Sequence, residues 1–290
     1  MIASLQTTPA SWALLNSRVS SAPDAPTARG FVLSTLQKPR THGGVADTGW
    51  EPADVYRHLE RLERLAADAG IPIRRVATGN LRDDALDPEH RFVSMPLFVL
   101  GKDGSRGMLR RQCTNEYKIS CLKAEARRLL GYPHPARVPD GVHAEQAIGI
   151  SVDEFHRAKD ANVRYLRNVF PLIDLGWTRA DCRAYLTAKG MADTPRSACI
   201  GCPYRRDAEW LHLKTTDPDG WADALAFDAA IRHGHPRAPR IGATYYLHRS
   251  RRPLSEAVLS PGEDEPTEGC SPWACRGDDS ASASSAEGAS

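Results

Sequence analysis

The sequence of 290 residues lacks the features that mark several classes of protein. No apolar run approaches the ~20 residues that a membrane-spanning helix needs, and the N-terminus has no basic segment followed by a compact apolar core, as a signal peptide would. A large excess of charge of one sign is also lacking, because 38 basic residues are balanced by 36 acidic ones. The charges are interspersed, whereas a nucleic-acid binder usually concentrates a basic excess. These absences predict a cytoplasmic protein with no membrane partner and no clear nucleic-acid partner.

The seven cysteines are odd in number, which argues against a secreted disulfide framework and favours metal-bound or reactive thiols. Cys199 and Cys202 form a C-x-x-C motif, in which Gly201 would ease the tight turn that brings both sulfurs to one point. Cys270 and Cys275 form a second pair. Two close pairs far apart in sequence are typical of a four-thiolate site for zinc or, by ligand type, an iron–sulfur cluster. The alternatives are a redox dithiol at the C-x-x-C motif and a second pair that has no special role.

The region after residue 45 has the pattern of an α/β protein. Apolar residues spaced by three and four predict a helix from about Ala53 to Gly70, and residues 71–76 read as a strand. Together with the apolar residues that end at Ala46, this is the strand–loop–helix–strand unit of a parallel sheet with helices on both faces. The loop that begins at Asp47 would lie at the carboxyl edge of that sheet, where ligands bind in such folds.

A second concentration of chemistry lies between Arg110 and Lys118. Arg110, Arg111 and Cys113 precede Thr114, a good helix N-cap residue. The helix that follows has an apolar face and is predicted to end near Gly131, a typical C′ residue. Free amide groups at a helix start, flanked by arginines, would bind phosphate or sulfate. The alternative is a solvated basic helix start in which Cys113 is a small core residue.

Apolar and polar runs predict further elements, which are, in order, a polar loop over 78–91, a strand over 92–100, a turn at Asp103-Gly104, a strand over 147–151, a helix that begins at Thr178, and two helices over 208–233 interrupted at 218–220.

Four stretches taken together resemble phosphoadenosine phosphosulfate (PAPS) reductases and the small subunit of ATP sulfurylase. DTGWEP at 47–52 is similar to the "DTG" loop of that superfamily, and RQCTNEYKI at 111–119 to its substrate loop. GISVDE at 149–154 is similar to a "G-x-R-x-x-E-S" strand end, and residues 171–178 to an "NPL-x-x-W-T" element. A bacterial and phage branch that carries CT-x-x-Y-K-I and CIGCP signatures is the most similar.

The resemblance implies an adenine-nucleotide α-hydrolase (PP-loop) fold and a nucleotide-dependent sulfur or adenylyl transfer to an unknown acceptor. The substrate would be ATP or a PAPS-type adenine nucleotide. By this likeness the nucleotide pocket would be lined by Asp47, Thr48 and Gly49, and phosphate or sulfate would be held by Arg110, Arg111 and Lys118. Cys113 would be a thiol nucleophile, because neighbouring arginines and a helix start lower the pKa of a thiol.

Two departures from the family pattern leave a second class open. Residues 1–45 contain no S-G-G-x-D-S phosphate loop, whose amide groups would close on the pyrophosphate, and the E-C-G-L-H nucleophile motif of PAPS reductases is absent. The chain could therefore be a non-catalytic, metal-stapled relative that binds a nucleotide or a partner.

The predicted organisation has four parts. Residues 1–45 form an atypical segment in place of the phosphate-loop region, and 46–195 form the α/β domain. Residues 196–276 form a helical extension with the cysteine pairs, and the Ser/Ala/Gly-rich residues 277–290 form a disordered tail.

Overall fold

Strands and helices alternate along most of the chain. A computed structural model describes residues 2–6, 41–91, 95–237 and 242–261. The strands are β1 (Ile2–Gln6), β2 (His42–Ala46), β3 (Ile73–Val76), β4 (Phe98–Leu100), β5 (Arg106–Met108), β6 (Ala144–Ala147), β7 (Leu166–Val169) and β8 (Thr244–Tyr246). The α-helices are α1 (Ala53–Asp68), α2 (Leu81–Leu86), α3 (Ser120–Leu129), α4 (Pro171–Asp174), α5 (Arg179–Ala188), α6 (Asp207–Thr216) and α7 (Pro218–Ala230). A π-helix spans Asn115–Ile119, and 3-10 turns span Val152–Arg157, Ile231–His233 and Leu254–Glu256.

The larger sheet has the strand order β3-β2-β1-β6-β7. Two pairs in it are parallel: β2 with β3, where Val45 faces Arg75, and β6 with β7, where Ala147 faces Val169. Strand β1 lies between the two pairs and runs antiparallel to both neighbours. The α/β class is therefore confirmed, but the sheet is mixed where the sequence pattern predicted a parallel one.

Helix α1 agrees with the prediction for residues 53–70. Its apolar face includes the buried Leu59, and it ends before Gly70, whose φ of 69° reverses the chain direction. Pro52 at the N-cap position makes no side-chain cap bond. The carboxylate of Asp217 instead accepts a hydrogen bond from the amide of Ala53 at 2.9 Å. Asp217, which precedes the first residue of α7, therefore caps α1.

The predicted loop over 78–91 was wrong in part, because it contains α2. Asn80 caps this helix by accepting hydrogen bonds from the amides of Arg82 and Asp83 at 3.0 and 3.3 Å. Leu81 and Ala85 are its buried residues. Six residues with two inward side chains are too few to give a helical period in the sequence.

The predicted strand over 92–100 is shorter in the structure. Only Phe98–Leu100 pairs, while Met95 and Leu97 are buried without belonging to a strand, and residues 92–94 lie outside the described part. Strand β4 pairs antiparallel with β5 across the predicted turn, where Gly104 has a φ of 81°. It also pairs antiparallel with β8, which completes a second sheet in the order β5-β4-β8.

The predicted helix at 178 is confirmed as α5. Thr178 caps it by accepting from the amide of Asp181, whose carboxylate accepts in return from the amide of Thr178. The two predicted C-terminal helices are α6 and α7. Pro218 is the first residue of α7 and not part of an interruption, because proline suits the first turn of a helix.

The main core joins the two halves of the chain. Trp210 and Phe227 are completely buried, and they belong to one cluster with Trp50, Leu81 and Tyr117. Residues on both sides of position 195 therefore share a core. The cysteines at 270 and 275 and the tail predicted at 277–290 lie outside the described residues.

None of the described helices has the length and hydropathy needed to cross a membrane.

Candidate functional site

The loop after β2 is held in place by the start of α2. Gly49 has a φ of 69° and donates its amide to the carboxylate of Asp47 at 2.8 Å. The amide of Leu81 donates to the carbonyl of Thr48 at 2.9 Å, and the side-chain amide of Asn80 donates to the carbonyl of Gly49 at 3.0 Å. These bonds fix the loop so that Thr48 is buried and Gly49 is exposed.

Thr48 belongs to a buried network that joins three distant segments. Its hydroxyl donates to Oε1 of Glu51 at 3.0 Å and lies 3.3 Å from the sulfur of Cys199. The Cys199 thiol lies 3.6 Å from the same oxygen, and the ammonium of Lys118 lies 3.5 Å from it. The side chains of Glu51 and Lys118 are only 6% and 4% exposed, so this is a buried ion pair.

The carboxylate of Glu51 is stabilised as an anion at one of its oxygens only. Burial alone would raise its pKa, but Lys118 and the hydrogen bonds from Thr48 and Cys199 outweigh burial and lower it. The other oxygen, Oε2, is buried and has no hydrogen-bond partner among the residues that the structure describes. A buried acceptor without a donor is costly in free energy.

The helix that carries Lys118 differs from the prediction at its start. Thr114 has helical backbone angles and makes no side-chain cap bond, so its predicted role as N-cap was wrong. It is 2% exposed, and Gln112 lies at the cap, where its carbonyl accepts from the amide of Glu116 at 3.1 Å. The next turn is a π-helix, which buries Tyr117, Lys118 and Ile119 in succession. Such turns are frequent at functional sites.

Three cysteines lie around one small cavity beside this network. Its volume is about 20 Å³, room for about one water molecule. The chemically relevant lining residues are Thr48, Arg111, Cys113, Lys118, Cys199 and Cys202. The structure thus brings together the loop after β2, the stretch 111–118 and the C-x-x-C motif.

The C-x-x-C motif is a buried turn. Cys199 and Cys202 are both buried thiols, and the amide of Cys202 donates to the carbonyl of Cys199 at 3.1 Å. The predicted reason for Gly201 was wrong, since its φ lies outside the left-handed region. A Cβ at this position would instead lie 2.1 Å from the ring of Trp50. Glycine is therefore required by the close approach of that ring.

Two of the four predicted metal ligands, Cys199 and Cys202, lie in the described part of the chain. Within the described ranges, no three histidine, cysteine or acidic side chains are grouped so that they could hold a metal ion. Cys270 and Cys275 lie outside those ranges. A zinc or iron–sulfur site formed by both pairs remains a prediction.

The predicted anion-binding residues differ in exposure. Arg110 is exposed, Arg111 is half-buried with its guanidinium 4.9 Å from the ring centre of Tyr204, and Lys118 is buried. Asp47 is half-buried and accepts from the hydroxyl of Tyr56 at 3.0 Å. The sequence reasoning missed Glu51 as a site residue. Two features of the sequence could have identified Glu51. Its carboxylate follows Thr48 by three residues, and Lys118, its partner, lies on an otherwise apolar helix face.

This arrangement can support thiol chemistry. One carboxylate oxygen of Glu51 lies 3.6 Å from the Cys199 sulfur and 3.5 Å from the Lys118 ammonium, so a thiol belongs to a buried charged network. Comparison with protein-family models, curated proteins and solved structures finds no match for the chain. Function must therefore be inferred from the residues of the site.

Proposed function

We propose that the chain is a PAPS reductase-like enzyme for nucleotide-dependent sulfur or adenylyl transfer. One observation carries the proposal: residues of the loop 47–51, of the stretch 111–118 and of the C-x-x-C motif line one cavity or bond to its lining. These are the segments whose sequences resemble that superfamily. Their convergence is what a shared site requires, because chemistry needs its groups within a few ångströms.

The nucleotide would bind at the carboxyl end of β2. Asp47, Thr48 and Gly49 follow that strand directly, and its parallel partner β3 ends at the same edge. The parallel pairs β2–β3 and β6–β7 suit an α-hydrolase-like sheet, and the antiparallel β1 is a departure from it. Arg110 and Arg111 would neutralise phosphate or sulfate.

The thiols would supply the sulfur chemistry. Cys113 lies at the start of its helix and lines the cavity with Arg111, so it is the proposed nucleophile. Cys199 and Cys202 would act as a dithiol, or would supply two thiolates to zinc or an iron–sulfur cluster with Cys270 and Cys275. The two buried thiols of a C-x-x-C turn fit such a group by ligand type. A zinc ion there would staple the turn.

A second candidate is a non-catalytic relative that binds a nucleotide or a partner. It is favoured by the pairing of Lys118 with Glu51 inside the protein and by a cavity with room for about one water molecule. A phosphate could reach Lys118 only if this pair were rearranged. The absence of a phosphate loop from the sequence favours the same candidate.

The test measures the melting temperature with ATP, PAPS and adenosine. A nucleotide at ~100 times its dissociation constant should stabilise the protein by about 2.7 kcal/mol, and Arg111→Ala should remove most of this effect. Arg106→Ala is the control, because Arg106 is an exposed arginine on the nearby β5. An equal shift with adenosine, or an equal loss in Arg106→Ala, would contradict the phosphate role.

Turnover separates the two candidates. The enzyme should release AMP from ATP, or a sulfur product from PAPS, and Cys113→Ser should lose this activity but keep nucleotide binding. Binding without any turnover would favour the non-catalytic relative. Slow AMP release from ATP is expected, because one missing oxyanion donor alone can cost ~10²–10³ in rate.

A further inference from the structure

Glu51 also lines a second cavity, which is larger than the first. Its volume is about 190 Å³, and it lies between the end of β2, the inward face of α1 and the segment 195–197. The three residues that contact Oε1 of Glu51, which are Thr48, Lys118 and Cys199, line the small thiol cavity. Glu51 itself is not among the lining residues of that small cavity. Glu51 therefore connects the two cavities.

The unpartnered oxygen of Glu51 indicates what this second cavity needs. Oε2 is buried, no described group donates to it, and Glu51 as a whole is 7% exposed. The protein leaves few such acceptors inside, since buried polar atoms are usually hydrogen-bonded. A bound molecule with an N–H group would satisfy it.

The rest of the lining selects the kind of molecule. Asp47 adds a second carboxylate, and the described lining includes no lysine or arginine. It does include His58, but burial and the nearby Arg61 lower the pKa of that imidazole and so favour its neutral form. An anion such as phosphate would be repelled there. The remaining walls are mainly aliphatic, with Leu59 and Leu62 on α1 and Pro195 opposite. The cavity is smaller than the ~300–1,000 Å³ of sites for drug-sized ligands.

We propose that this cavity binds a small organic amine, whose ammonium group donates to Oε2 of Glu51 and whose apolar body packs against α1. The site shares Asp47 with the proposed nucleotide pocket, but it does not include the arginines that would hold the nucleotide phosphates. On the proposed function, the amine would be the acceptor substrate: its nitrogen would lose a proton, form a bond to the α-phosphorus of ATP and displace pyrophosphate. That last assignment rests on the proposed function, whereas amine binding does not.

The experiment is calorimetric titration of the full chain, without nucleotide, with benzylamine. Benzyl alcohol and benzoate are the probes of equal shape that are neutral and anionic. Benzylamine should bind, and it should bind at least about tenfold more tightly than either analogue, a difference of ~1.4 kcal/mol. Leu62→Trp should fill the cavity and weaken benzylamine binding by at least about tenfold.

Two matched controls keep the result interpretable. Leu65→Trp places the same ring about one turn further along α1, at a position that is 37% exposed and is not among the described lining residues, and this variant should bind benzylamine normally. Glu51→Gln should weaken binding, whereas Glu60→Gln, at an exposed position of the same helix, should not. Because Glu51→Gln leaves Lys118 buried beside a neutral group and could unfold, Leu62→Trp decides the question by itself.

Several results would overturn the proposal. These are equal binding of benzyl alcohol or benzoate, benzylamine binding that is unchanged by Leu62→Trp, or no binding at millimolar benzylamine. Adenosine that displaces benzylamine and depends on Leu62 would make the cavity a nucleobase site instead. If benzylamine binds as expected while the Arg111→Ala nucleotide test fails, the amine site stands and only its role as acceptor site is lost.

Discussion

Replacement of Gly201 by alanine should destabilise the protein through a single contact. The added Cβ would lie 2.1 Å from Cη2 and 2.6 Å from Cζ3 of Trp50. The ring is 3% exposed, packs on Phe227 with a centroid distance of 4.6 Å, and donates its N–H to Asp223 at 2.6 Å. It therefore has no free space into which to move, and the C-x-x-C turn must shift instead.

The expected size of the effect follows from two opposing terms. Overpacking a buried contact costs about 1–3 kcal/mol. Alanine also restricts the unfolded chain, which returns about 0.4–1 kcal/mol where the backbone angles allow it, as they do at Gly201 because its φ lies outside the left-handed region. With the middle of each range, the net loss should be about 1.3 kcal/mol, or a fall in melting temperature of about 3–5 °C for a chain of this size.

The assay is urea unfolding of four proteins in a double-mutant cycle. Trp50→Phe removes the ring atoms that clash, so Gly201→Ala should cost less in that background than in the wild type. Gly149→Ala is the control, since its nearest contact would be the side chain of Leu172 at 3.9 Å. If Gly201→Ala proved as stable as Gly149→Ala, the close approach of Trp50 would not be the reason for glycine.

Two further predictions concern metal and pH. Protein purified anaerobically should carry about one zinc or one iron–sulfur cluster per chain. The double variant Cys199→Ser/Cys202→Ser should lose this metal and be less stable. A metal-free wild type and an equally stable variant would contradict this prediction. Burial alone would raise the pKa of Glu209, but Arg196 and Arg206 lower it, so its contribution to stability is present at neutral pH and is lost as the pH falls through that lowered value. The difference in unfolding free energy between wild type and Glu209→Gln should therefore shrink in urea titrations from about pH 7 to below the ordinary glutamate value of about 4.3; a constant difference would argue against the ion pairs.

The elements with a strong local signal were predictable from the sequence. Helix α1 has an apolar period and a terminal Gly70, and α5 has the reciprocal cap of Thr178 and Asp181. In both, residues within a few positions of one another determine the structure. Helix α2 and the π-helix were missed because their burial is set by segments far away in the chain, which a local period does not contain.

The site was predictable in its parts but not in its assembly. Thr48, Lys118 and Cys199 were each identified from their own motifs. Their meeting at Glu51 depends on how α6 and α7 pack against the first half of the chain, and no spacing in the sequence encodes that. The reason for Gly201 was missed for the same cause, since its partner Trp50 lies in another motif.

The pairing of β4 with β8 also determines when the site can first exist during synthesis. Thr244 follows its bonding partner Leu100 by 144 residues, a stretch that a ribosome takes roughly 7–30 s to make at ~5–20 residues per second. The loop 47–51 is synthesised before that interval and the stretch 111–118 early in it. Until the interval ends, Trp210, Phe227 and β8 are not all available to cover these two segments. Cys113 and then the C-x-x-C cysteines therefore leave the ribosome before the core that encloses them is complete. The thiols of this site are therefore exposed before the core is complete, and their redox state is set by their surroundings before it is set by the fold.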